Sequence, residues 1–108
     1  MNDSMEMVSR HIKLCNELNE LYSRKNRDYG NSFHDTFEEE GLAMARVRLS
    51  DKLNRFKTLT FPHNVRKAVK DETLRDTLMD LANYAIMTIM EMDIYEENNP
   101  NGSSKELY

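Results

Sequence analysis

The chain has 108 residues, 39% of them hydrophobic and 31% charged, with three glycines, two prolines and a formal net charge of −4. That length supports one modest core, and the composition excludes collagen-like, glycine-rich and wholly disordered classes. An acidic total also argues against bulk binding along duplex DNA, where many phosphates must be neutralised.

The longest nearly charge-free run, residues 81–90, is about half of a membrane span. With no signal-peptide pattern, the expected location is the cytoplasm. Cys15 has no second cysteine to pair with, and its apolar helical position predicts a buried thiol.

Met5, Val8, Ile12, Cys15, Leu18 and Leu21 recur every three or four residues, which predicts a first helix over 4–26 with Asp3 and Glu6 at its start. Asp28-Tyr29-Gly30-Asn31 should end it, because Gly30 tolerates a positive φ and Asp and Asn favour turns. Ser32 then opens a short helix that carries Phe33 and Phe37 as core residues, and Gly41 closes it. Glu38-Glu39-Glu40 reads as an exposed run.

A second long periodic run, Leu42, Ala45, Leu49, Leu53, Phe56 and Leu59, predicts a helix over 42–59. Its other side carries Arg48, Asp51, Lys52 and Arg55 on one stripe. These belong to a local basic concentration: Arg46 to Lys70 holds eight basic residues against one acid, Asp51, which suits a small anion such as a nucleotide phosphate or else a solvated face. Pro62 lacks an amide donor and biases Phe61 away from helical dihedrals, so 60–70 is expected as a loop, tacked down by Val65 and Val69.

Asp71 is the expected N-cap of the last long helix, in which Leu74, Leu78, Leu81, Ala85, Ile89 and Met92 form a core stripe. Met79, Ala82, Ile86 and Met90 add a second apolar set, and a helix so broadly apolar needs cover on more than one side. Either a central position in the bundle or a second subunit supplies that cover, and a homo-oligomer sharing this helix, a dimer first, is expected. The resulting fold class is all-α, a compact bundle of three long helices and a short one, in a single domain over 1–97 with a flexible tail over 98–108.

Glu72, Asp76 and Asp80 lie at spacings of four on the last helix, followed by Asn83. Asp80 sits within Leu78-Met79-Asp80-Leu81-Ala82, where a carboxylate needs a compensating charge. Two arrangements supply one: Mg²⁺ held by Asp76 and Asp80, with Glu72 a weaker third ligand, or ion pairs to Arg48, Lys52 or Arg55. Lys25, Asp28 and Tyr29 cluster at the end of the first helix; Lys25 offers a phosphate contact and Tyr29 a face for stacking a base. His11, His34 and His63 have no metal-ligand spacing, and no glycine-rich phosphate loop or nucleophile motif is present.

Three strings read together: Tyr22 through Phe33; Arg48-Leu-Ser-Asp51-Lys52-Leu-Asn-Arg55; and Asp71 through Met87, which includes Asp76-Thr77-Leu78-Met79-Asp80-Leu81-Ala82-Asn83-Tyr84. Over residues 22–91 they resemble the phage and prophage family called nucleotide modification associated domain 1. A fainter likeness is to the all-α nucleotide pyrophosphohydrolases of the MazG type, whose helices hold Mg²⁺ over a nucleoside triphosphate; Asp76 through Asp80 look like a modified form of their second acidic motif, and the first is missing.

These resemblances imply a nucleotide or nucleotide-derived ligand. Arg48, Lys52 and Arg55 would contact phosphate, Asp76 and Asp80 would orient those cations or bind Mg²⁺, and Tyr29 or Asn83 would read the base or ribose. In the cytoplasm of an infected or lysogenic bacterium, such a protein would sequester a nucleotide signal used by host immunity. The alternatives are Mg²⁺-dependent hydrolysis of a nucleoside phosphate and a protein-interaction module with no small ligand.

Overall fold

The computed structural model describes residues 3–29, 31–61 and 67–101, with the backbone alone for Tyr29 and 67–72. It contains four helices: α1 (Asp3–Tyr29), α2 (Ser32–Glu40), α3 (Leu42–Thr60) and α4 (Lys67–Asn98). The expected all-α class holds, and no strand occurs among the described residues. Contacts divide the chain into two compact units, residues 1–31 and residues 32–108.

The first unit is built on α1. Asp3 and Glu6 lie in its first turn and Arg27 in its last, each where the helix dipole favours its charge. Glu6 pairs with Arg10 at 3.3 Å one turn on, an exposed contact worth a few tenths of a kcal/mol. The expected apolar stripe is uncovered in its N-terminal half, where Met5, Val8 and Ile12 are each more than half exposed, whereas Leu18 and Leu21 are half-buried. Cys15 is exposed as well, against the expectation of a core thiol, since within the first unit α1 has no second helix to pack on; its sulfur lies 3.7 Å from His11 Nδ1. The helix runs three residues past its expected end, to Tyr29, and Gly30 lies outside the described residues.

In the second unit α3 packs along α4 while α2 touches both. Phe37 and Ala45 are the buried apolar centre, with Phe33, Leu42, Met44, Met92 and Tyr95 packed around them. Burying Phe37 contributes about 2–3 kcal/mol. Its ring lies 6.3 Å from that of Phe33, which in turn lies 5.9 Å from Tyr84, so both phenylalanines are core residues as expected. Gly41 separates α2 from α3 with φ 66°, a conformation costly for a residue with a Cβ, and its N–H donates to the Phe37 carbonyl at 2.7 Å. Phe61 then leaves α3 in extended backbone, as a residue before proline should. Pro62, His63 and Val65 lie outside the described residues, as does the side chain of Val69.

Two expectations for α4 need correction. It begins at Lys67, not Asp71: Lys67-Ala68-Val69-Lys70 contains no glycine or proline to hold a loop open, so the helix absorbs it and Asp71 becomes an interior residue. The helix also turns a different side inward. Thr77, Thr88 and Glu91 are buried, whereas Leu78, Ala85 and Ile89, assigned above to the core stripe, are exposed. The reason lies in what faces it, since α2 and α3 present a histidine and a lysine to this side. Thr88 satisfies its hydroxyl within the helix, donating to the Tyr84 carbonyl at 2.7 Å. After Asn98 the Asn99 amide side chain donates to the Tyr95 carbonyl and helps close the helix; residues 102–108 of the expected tail lie outside the described residues.

Candidate functional site

Helix α3 positions its basic residues around two different sides. Lys52 faces α4, half-buried, and its Nζ donates to Asp80 Oδ2 at 3.0 Å. With about a quarter of each side chain exposed, this pair ties the two helices in register while remaining within reach of solvent. Arg48 and Arg55 share the stripe and are exposed, as is Asp76 on α4. Of the two arrangements open for Asp80, the geometry fits the ion pair: the Lys52 ammonium stands on the carboxylate where a metal ion would have to approach. No group of three or more His, Cys, Asp or Glu arranged to hold a metal occurs among the described residues, and the Glu72 side chain lies outside them.

Asn83 is half-buried on α4. Lys25 and Asp28 are exposed near the end of α1, in the first unit, and the Tyr29 side chain lies outside the described residues.

Beside Lys52, α3 borders a groove of about 500 Å³ against α4. Leu42, Leu49, Leu53 and Leu81 give it apolar walls; Arg46, Ser50 and Thr88 supply the polar groups. Arg46 and Ser50 are one turn apart, which puts a guanidinium and a hydroxyl on the same rim. This volume falls within the range of small-molecule sites, which are mostly apolar with a few placed polar groups. Sequence reading counted Arg46 in the basic segment but did not single it out, because the stripe of Arg48, Lys52 and Arg55 was the more regular pattern. The legible signal was its position four residues before Ser50, on the flank of the apolar run.

A second polar centre was missed. His34 Nδ1 lies 2.7 Å from Glu91 Oε1, and its Nε2 pairs with Glu38 one turn on along α2. Both ring nitrogens thus meet carboxylates, the arrangement of a doubly protonated imidazolium. The His34 pKa is raised above the ordinary 6.5, chiefly by the hydrogen bond to Glu91; burial opposes the shift, while the charges of Glu91, Glu38 and Asp35 add to it. Glu91 lies in the run Ile89-Met90-Glu91-Met92, the same signal of an acid among apolar residues that singled out Asp80.

Comparison with known families adds one finding: the nucleotide modification associated domain 1 profile matches residues 25–92. That segment contains the end of α1, all of α2 and α3, the Lys52–Asp80 and His34–Glu91 pairs and every residue of the groove. No significant match to a curated protein or to a solved structure accompanies it.

Proposed function

Because the chain belongs to the nucleotide modification associated domain 1 family, we propose that its second unit binds a nucleotide or nucleotide-derived small molecule in the groove between α3 and α4. The observation that carries this reading is the groove itself, with leucine walls on which a base can lie and Arg46 with Ser50 on the rim to take a phosphate. Arg48 and Arg55, exposed on the neighbouring flank of α3, raise the local positive potential of an otherwise acidic chain and favour the approach of an anion. Lys52 and Asp80 hold the two walls in register. Such a protein acts by retaining its ligand, and in a phage-infected cell that means withdrawing a nucleotide signal from host immunity.

The test is to denature the purified protein, identify released small molecules by mass spectrometry, and titrate any nucleotide recovered against wild type and Arg46→Ala. Losing a charge-assisted contact should weaken binding about tenfold or more, with a smaller salt dependence in the variant. Equal affinity in both proteins refutes the groove as the site. Incubating the recovered ligand with Mg²⁺ separates retention from chemistry: unchanged ligand supports retention, whereas turnover moves the reading to hydrolysis of the MazG type.

A further inference from the structure

Helix α4 shows an inverted distribution of polarity. Its inward side carries buried Thr77, Thr88 and Glu91, while Leu78, Ile86 and Ile89 on its outward side are 45%, 44% and 57% exposed. Water-soluble helices place their apolar stripe on a neighbour and their polar residues outward, so an outward stripe of this kind calls for a cover.

The order of residues along the stripe says what the cover is. At 100° per residue, Arg75, Leu78, Ala82, Ile86, Ile89 and Asp93 fall within one quadrant of the helix, spanning roughly 27 Å of its length. A base stands at the N-terminal end, an acid at the C-terminal end, and the apolar residues lie between them. Read backwards from the far end, the stripe complements itself. We infer that α4 pairs antiparallel with α4 of a second copy of this chain, about a two-fold axis level with residue 84. That register sets Arg75 against the partner's Asp93, Leu78 beside the partner's Ile89, and Ala82 against the partner's Ile86. Each contact occurs twice, as an isologous two-fold interface requires. A parallel pairing would instead bring like charges together at both ends.

The inference is independent of the nucleotide reading, since the groove and this stripe are on different sides of α4. It is tested with the full chain by light scattering over a concentration series, with helix content followed by circular dichroism. Wild type should be a dimer, and Ile86→Glu, at a solvent-facing position, should be monomeric with unchanged helix content. Register is tested by charge exchange. Asp93→Arg alone should raise the dimer dissociation constant about fourfold, taking each of two exposed pairs as worth roughly a factor of two. Arg75→Asp combined with Asp93→Arg should return it to the wild-type value. A wild-type monomer at high concentration, an Ile86→Glu protein that dimerises as tightly as wild type, or a double exchange that fails to restore the Asp93→Arg defect would overturn the inference.

Discussion

Replacing His34 with leucine strands a buried carboxylate. Glu91 has only 8% of its side chain exposed and lies 2.7 Å from the imidazole, while His34 is 25% exposed. Breaking a buried pair from one side costs about 3–5 kcal/mol, because the remaining charge keeps its desolvation penalty and loses its partner. The partial exposure of His34 brings the expected loss to the bottom of that range or just below it, about 2–3 kcal/mol. Replacing both residues, His34→Leu with Glu91→Leu, removes the charge and the partner together and should recover much of that loss.

The same pair sets a pH dependence. His34 has a folded-state pKa above its unfolded value near 6.5, so its contribution is fully present below about pH 6.5. It is lost as pH rises through the raised folded-state value. The stability gap between wild type and Glu91→Gln should therefore be widest in mildly acidic buffer and narrow toward alkaline pH. Urea unfolding followed by circular dichroism, at one fixed protein concentration and several pH values, measures both effects. A single variant no less stable than the double variant, or a gap that does not change with pH, would show that the α2–α4 pair does not hold these helices together.

Three further outcomes are expected. Asp80→Asn should lower stability by about 1 kcal/mol in the presence of EDTA, a modest cost because the Lys52 pair is partly wet, and Mg²⁺ should not raise the wild-type melting temperature selectively; a rise confined to wild type would restore Asp80 as a metal ligand. Gly41→Ala should cost about 1–3 kcal/mol by forcing a Cβ into φ 66°, ψ −152°, a region essentially open to glycine alone, measured by thermal unfolding against Ser50→Ala as an exposed control. Phe37→Ala should cost about 3 kcal/mol or more, since it removes the largest apolar side chain at the buried centre of the second unit.

Helix positions were legible wherever apolar period and breakers agreed. Gly41 and Phe61-Pro62 marked the ends of α3 within one residue, whereas the start of α4 was misplaced because a good capping residue, Asp71, drew attention from four residues that favour helix equally well. Which side of α4 faces inward was not legible, since a helix apolar on several sides leaves orientation to its neighbours. Among the described residues the pairing of Asp80 with Lys52 and of Glu91 with His34, with Tyr84 against Phe33, marks the inward side, and the two charged pairings join residues 28 and 57 positions apart. Asp80 was found by asking what an acid does among apolar residues, and the same question put to Glu91 would have uncovered His34. The groove was hidden for a different reason: its walls are leucines from the apolar runs of α3 and α4, and nothing in their spacing tells a packed face from an open one.

The single-residue junction at Gly41 bears on how sequences of this kind can diverge. With α2 ending at Glu40 and α3 beginning at Leu42, there is no slack in which to absorb a change of length. One inserted residue that extended either helix would rotate everything beyond it by about 100°, carrying Phe37 and His34 away from the positions at which they meet Ala45 and Glu91. Insertions and deletions should therefore be absent between His34 and Lys52 in proteins that keep this architecture, and substitutions alone should record its history there.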